Sequence, residues 1–185
     1  CAMARLAGAE VVPVDIGIAV PVTAGRLLQR NIRRGTANLA VEPAMSREEC
    51  ERAILTGVEV VKDLAEQGYR LLATGEMGIG NTTTSAAVAS VLLGREPGEV
   101  TGRGAGLSTE GLRRKVDAIR RGIAVNHPDP NDPVDTVSKV GGLDIAGLAG
   151  VFLGGALYHV PVLIDGFISS VSALAAVRLC PDALG

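Results

Sequence analysis

The sequence predicts an α/β protein with a doubly wound, mostly parallel sheet, and three observations predict it. Short apolar runs of strand length alternate with longer stretches at helical spacing, the order that yields parallel strands joined by crossover helices. The 24 glycines fall in discrete clusters between those runs, where strands would turn into helices. Finally, 47% of the residues are hydrophobic but only 2% aromatic, so the core must be built from Ala, Val, Leu and Ile. With 185 residues, residues 1–185 are expected to form one α/β core rather than two large domains.

Taken in order, "AEVVPVDIGIA" (residues 9–19) reads as a buried strand that ends at Asp15 and Gly17. "QRNIRRGTANLAVEPAM" follows as a polar excursion. "SREE" begins at Ser46 and places Glu49 three residues on, the spacing of a capping box. Behind it Cys50, Ala53, Ile54, Gly57, Val60, Val61 and Leu64 recur at helical spacing, and Gly68 stands where a C-terminal cap belongs. "RLLATGE" reads as a short buried strand, with a helix from about Asn81 to Gly94 after it.

A glycine-rich loop, "REPGEVTGRGAGLS", precedes a helix predicted to bury Leu112, Val116, Ile119 and Ile123. "NHPDPNDPVD" (126–135) reads as a proline-rich surface loop. A small-residue helix from about Asp144 to Tyr158, the strand "VPVLID" and an apolar helix from Gly166 to about Cys180 complete the pattern.

Three of the expected strands end in an acid beside glycine: Asp15 before Gly17, Glu76 before Gly78, and Asp165 before Gly166. Ligands of open α/β sheets bind outside the carboxyl ends of the strands, so these acids are expected to line one rim. Ordinary strand-to-helix turns favour the same residues and remain the alternative for each acid.

"ATGEMGIGNTTTSAA" (73–87) carries the most chemistry. Glycines let backbone amides approach a ligand without an intervening Cβ, and the next helix points its unpaired N–H groups back at the loop. With Gly78, Gly80, Asn81, Thr82 and Thr83, the stretch suits an anion, most plainly a phosphate. It is neither a P-loop, since no G-K-[ST] follows, nor a G-x-G-x-x-G fingerprint. Glu76 would repel a phosphate; it either serves ribose hydroxyls or a developing positive charge, or caps nearby amides.

"TGRGAG", with Gly102 and Gly104, repeats the amide-rich theme, and Lys115 follows one turn into the next helix. Lysine suits phosphate as a mobile point charge, but Lys115 also fits a solvated face with Arg113, Arg114, Arg120 and Arg121. Met77 reads as core or ligand wall, His127 as exposed loop, and His159 as a histidine near a strand start rather than a base.

A net charge of −2 leaves no basic footprint for nucleic acid. No apolar run reaches the roughly 18–20 residues that span a bilayer, so no membrane partner is expected. Cys1, Cys50 and Cys180 have neither C-x-x-C nor metal spacing and point to a reducing, cytoplasmic setting with no metal.

"GEMGIGNTTTSAA", "TGRGAGLSTEGLRRK" and "LIDGF", with "RRGTANLAVEPAMS" and "GGLDIAGLAG", strongly resemble the nicotinate-nucleotide:dimethylbenzimidazole phosphoribosyltransferases of cobalamin lower-ligand assembly. The resemblance covers essentially the whole chain. It implies a Rossmann-like doubly wound sheet, a smaller helical part that is largely missing here, a homodimer, and no metal or other cofactor.

The implied reaction moves phosphoribosyl from nicotinate mononucleotide to dimethylbenzimidazole, giving α-ribazole phosphate and nicotinate. Glu76, Gly78, Gly80 and Lys115 match the family's motif residues. The family's general base lies in a later glutamate-glycine segment and is expected beyond Gly185, so this chain is expected to be a fragment, crippled alone. A non-catalytic nucleotide-binding module, or another phosphoribosyl-handling enzyme with Glu76 or Asp165 as base, is the alternative.

Overall fold

A computed structural model describes residues 2–184. Cys1 and Gly185, the residue beyond which the general base is expected, lie outside the described residues. The elements, in chain order, are α1 (Ala2–Leu6), β1 (Val14–Asp15), β2 (Leu28–Gln29), α2 (Arg47–Glu66), β3 (Leu72–Ala73), α3 (Asn81–Leu93) and α4 (Pro97–Val100). They continue with α5 (Thr109–Asn126), α6 (Pro133–Val140), α7 (Leu143–Leu157), β4 (Val162–Leu163), α8 (Gly166–Leu179) and a 3₁₀ turn at Pro181–Leu184.

The α/β class and the parallel pairing hold, but the strands are very short. β1 pairs with β2 and β3 with β4, both parallel, as two separate pairs among the described residues. Pro13 has no N–H to give a partner strand, yet its carbonyl accepts from Leu28 N at 2.9 Å. Beyond Asp15 the chain turns at once, because that buried carboxylate accepts from Ile18 N (2.8 Å) and Asn31 Nδ2 (2.9 Å). β2 straddles the start of the segment read as a polar excursion, which begins at Gln29: Gln29 stays exposed and half-buried Leu28 is the strand's one apolar residue, too little pattern to signal a strand.

The helices carry the core. The capping box at α2 is present: Ser46 Oγ accepts from Glu49 N at 3.1 Å, and Glu49 Oε2 accepts from Ser46 N at 2.9 Å. At the other end Gly68, with φ 96°, closes a Schellman motif, its N–H on Ala65 O and that of Tyr69 on Leu64 O. Ser46→Ala withdraws the hydroxyl half of the box and should cost about 1 kcal/mol. The measurement is a lower urea midpoint with an unchanged slope.

One hydrophobic cluster draws Cys50, Ala53 and Ile54 from α2, residues 86–89 and Leu92 from α3, and Ile119 from α5. From α6, α7 and α8 it takes Val137, Val140, Ile145, Ala149, Phe152, Ile168 and Val171. Nothing larger than Phe152 stands among these, so the helices approach closely, and α2 crosses α7 on glycines. A Cβ on Gly57 or Gly150 would overlap a backbone carbonyl of the facing helix.

The proline-rich stretch 126–135 is not a plain surface loop. α5 runs through Asn126, whose buried amide donates to Leu39 O (2.6 Å) and Gly122 O (2.9 Å). Asp132 then caps α6 by accepting from Val134 N and Asp135 N, with Pro133 at the first helical position. Proline there lacks only a donor the helix could not have used, so "NDPVD" starts a helix instead of preventing one. The second glycine loop likewise contains a short helix, α4, opened by Pro97. No helix among the described residues is long and apolar enough to cross a membrane.

Candidate functional site

The two glycine loops meet at the start of α3. Gly80 enters that helix with φ 84°, a left-handed conformation that glycine adopts without strain. Ser46, Ser108 and Asp132 cap α2, α5 and α6, whereas no side chain caps α3. Its leading amides therefore face the loop without a protein side chain on them, the arrangement that attracts anions.

Lys115 reaches this point from α5. Its Nζ donates to Thr82 Oγ1 at 2.9 Å and to the Gly102 carbonyl at 3.1 Å. The residue is only 8% exposed, so it does not belong to a solvated face with Arg113 and Arg114. The expected apolar stripe explains the difference. Ile119 is buried, but Leu112, Val116 and Ile123 are half-buried, and the inward face is Gly111, Lys115, Ile119, Gly122 and Asn126. Gly122 lets that face sit close against Leu39, and Lys115 on the same face turns inward.

Burial pushes the Lys115 ammonium below its ordinary pKa, and no carboxylate pairs with it among the described residues. A buried cation satisfied only by neutral oxygens favours an incoming anion. Gly104, at φ 56°, closes the cradle; a Cβ there would stand 3.2 Å from Thr82 Oγ1 and 3.8 Å from Lys115 Nζ. The loop is held in shape by Arg103, which donates to Leu107 O at 2.8 Å and Thr109 Oγ1 at 3.2 Å.

On the other side of the α3 start stands Glu76. One of its oxygens, Oε2, accepts from Gly78 N (3.2 Å) and Asn81 Nδ2 (2.6 Å). Its second oxygen has no hydrogen-bond partner among the described residues, so it is open to a ligand. Asn81 is 9% exposed and donates from the same nitrogen to Asp144 Oδ2 at 2.8 Å. Because Asn81 and Thr82 are consecutive, the carboxylate group and the lysine group share one helix start.

Asp144 was not legible as a site residue. It carries the same acid-and-glycine signal as the rim acids, but with glycines before the acid, at a helix start rather than a strand end.

The remaining predicted residues fall differently. Thr83 N donates back to Gly80 O at 3.1 Å. Met77 is 96% exposed on the loop tip and belongs to no core. Asp165 lies exposed before α8, caps nothing, and no hydrogen bond joins its side chain to either group among the described residues. Asp15, the third rim acid, is buried in its own turn. His127 is exposed at the end of α5, and His159 is exposed in the turn before β4 with φ 55°. The general base expected beyond Gly185 falls outside the described residues. A cavity lined by Ala4, Arg5, Ala9, Glu10, Val11, Pro13 and Arg26 lies under α1, apart from the glycine loops.

Known proteins are similar to this chain in sequence and fold. The nicotinate-nucleotide–dimethylbenzimidazole phosphoribosyltransferase of Ruminiclostridium cellulolyticum is 51% identical over 180 residues, covering 97% of this chain and 51% of the relative. That of Acetivibrio thermocellus is 52% identical over 180 residues, with the same coverage of 97% and 51%. A crystal structure of CobT from Thermus thermophilus matches with a TM-score of 0.91 at 41% identity, over 97% of this chain and 54% of that one. This chain thus spans about half the length of the relatives it matches. A sequence profile of the DBI_PRT family, described as phosphoribosyltransferase, matches residues 1–185, and the chain belongs to that family.

Proposed function

We propose that residues 1–185 form the nucleotide-binding core of an enzyme that transfers phosphoribosyl from nicotinate mononucleotide to dimethylbenzimidazole. The observation that carries this reading is buried Lys115, held by Thr82 and Gly102 between two glycine loops without a carboxylate partner among the described residues. The names of the relatives supply the substrates.

In the proposed reaction the phosphate rests on the α3 amides, Thr82, Thr83 and Lys115, with Gly78, Gly80, Gly102 and Gly104 allowing the approach. That anchor orients the sugar. As the bond to the pyridinium breaks, positive charge builds on the ribose, and the free oxygen of Glu76 steadies it or accepts a ribose hydroxyl. Exposed Met77 offers an apolar wall to the azole, and Asp165 follows β4, the strand paired with β3. Glu76 has a supporting part and is not assigned as the general base. The family resemblance supports a homodimer, and the spacing of the three cysteines supports a cytoplasmic setting.

The test uses the full reading frame that carries this chain. Nicotinate mononucleotide and dimethylbenzimidazole should yield α-ribazole phosphate, separated by chromatography. Glu76→Gln should cut turnover at least about tenfold, a loss of ~1.4 kcal/mol in transition-state stabilisation, with the melting temperature near wild type. No product from the wild type overturns the transfer reading. A Glu76→Gln protein that melts early but turns over normally makes Glu76 a structural cap.

A further inference from the structure

The first turn of α7 brings one more carboxylate to Glu76, and neither the core nor the phosphate cradle uses it. Asp144 Oδ2 and Glu76 Oε2 accept from the same nitrogen, Asn81 Nδ2, at 2.8 and 2.6 Å. Two glycines make room for this. A Cβ on Gly78 would fall 2.5 Å from Asp144 Oδ2, and one on Gly142 would fall 2.6 Å from Asp144 Oδ1. An acid in the first turn of a helix is favoured by the helix dipole alone. That preference does not explain a carboxylate reaching across to a second helix through a gap left by two glycines.

The arrangement has a chemical consequence. A carboxamide can present either its NH₂ or its carbonyl to a neighbour, and only the NH₂ can serve two carboxylates, one hydrogen for each. We propose that Asp144 is a positioning residue: it fixes the Asn81 amide with its NH₂ inward, so that Asn81 holds Glu76 in place for the sugar. Without Asp144, one amide hydrogen loses its acceptor and Asn81 is free to turn. Glu76 then keeps only its longer bond to Gly78 N. The consequence for turnover rests on the proposed transferase reading; the effect on the amide does not.

The experiment has two arms. In the full reading frame, Asp144→Ala should lower kcat about tenfold while KM for nicotinate mononucleotide stays within about twofold. In a Glu76→Gln background the same change should cost nothing further, because both variants remove one function. Asp144→Asn, whose carbonyl still accepts from Asn81, should recover most of the rate.

In the second arm, nuclear magnetic resonance follows the Asn81 side-chain amide of the nitrogen-15-labelled chain without substrate. Glu76→Gln should shift that signal when Asp144 is present and leave it unmoved in Asp144→Ala. Asp144→Ser, which keeps a good helix-start residue, replaces Asp144→Ala if the latter does not fold. Multiplying kinetic effects, or equal shifts of the amide signal in both backgrounds, overturns the proposal. If the wild type makes no product, the transferase reading fails and the amide signal still decides the part of Asp144.

Discussion

Gly150→Ala is expected to lower stability by about 2–3 kcal/mol, the upper part of the range for overpacking a core. By helix propensity alone the change should help, since alanine is favoured over glycine by roughly 1 kcal/mol inside a helix. Packing reverses the sign. Gly150 faces α2 at the point where a Cβ would overlap the Ile54 carbonyl oxygen and crowd the Ile54 Cα at 3.0 Å. A carbonyl bonded into a helix cannot rotate away as a flexible side chain would.

Relief therefore requires α2 and α7 to separate, and Gly57 and Gly154 sit on the same contact and depend on the same spacing. For a chain of this size the loss corresponds to a fall in melting temperature of about 4–12 °C. Gly98→Ala is the control, because nothing lies within 4 Å of a Cβ there. It should leave the melting temperature unchanged or slightly raised. Equal melting temperatures for Gly150→Ala and wild type would show that the two helices do not meet on these glycines.

That contact also shows what a sequence displays and what it hides. The α2 helix was legible at both ends, because Ser46, Glu49 and Gly68 act through local hydrogen bonds fixed by sequence spacing. The glycines of "GLAGVFLGG" read only as small residues in a helix. Gly150 and Gly154 are required by a partner helix far earlier in the chain, which no local pattern encodes. Residues 126–135 misled for a related reason. Prolines alternating with acids look like a loop, yet Pro133 behind Asp132 is a helix start, and Asn126 is a buried anchor for Leu39.

The site divides in the same way. Its glycine loops were visible because phosphate-binding backbone needs glycine and a helix start, both local in sequence. The burial of Lys115 was not visible, since its apolar neighbours at 112, 116 and 123 pointed to a face displaced around the helix. Only tertiary packing, with Gly122 set against Leu39, turns the lysine inward. Asp144 stayed hidden because it meets Asn81 across 63 residues.

The two glycine loops and Lys115 are proposed to bind the phosphate of a nucleotide. Lys115→Ala should weaken binding of nicotinate mononucleotide by roughly 1–3 kcal/mol, the loss expected for a charge-assisted contact. Stability should not fall in parallel. A buried ammonium without a carboxylate among the described residues costs desolvation, which the smaller residue removes along with some packing. Lys115→Arg should not restore affinity, because a planar fork does not fit where one Nζ serves Thr82 Oγ1 and the Gly102 carbonyl.

The pH dependence follows in sign. Burial lowers the Lys115 pKa, so the ammonium is lost as pH rises through that depressed value, and affinity should fall there before a free lysine would titrate. Calorimetric titration of the 185-residue chain with nicotinate mononucleotide, wild type against Lys115→Ala, is the most direct measurement. Binding by the wild type is expected, weakened roughly 5- to 150-fold in the variant, with inorganic phosphate competing more weakly in the variant than in the wild type. Equal affinity in the two proteins, with both folded, would contradict it.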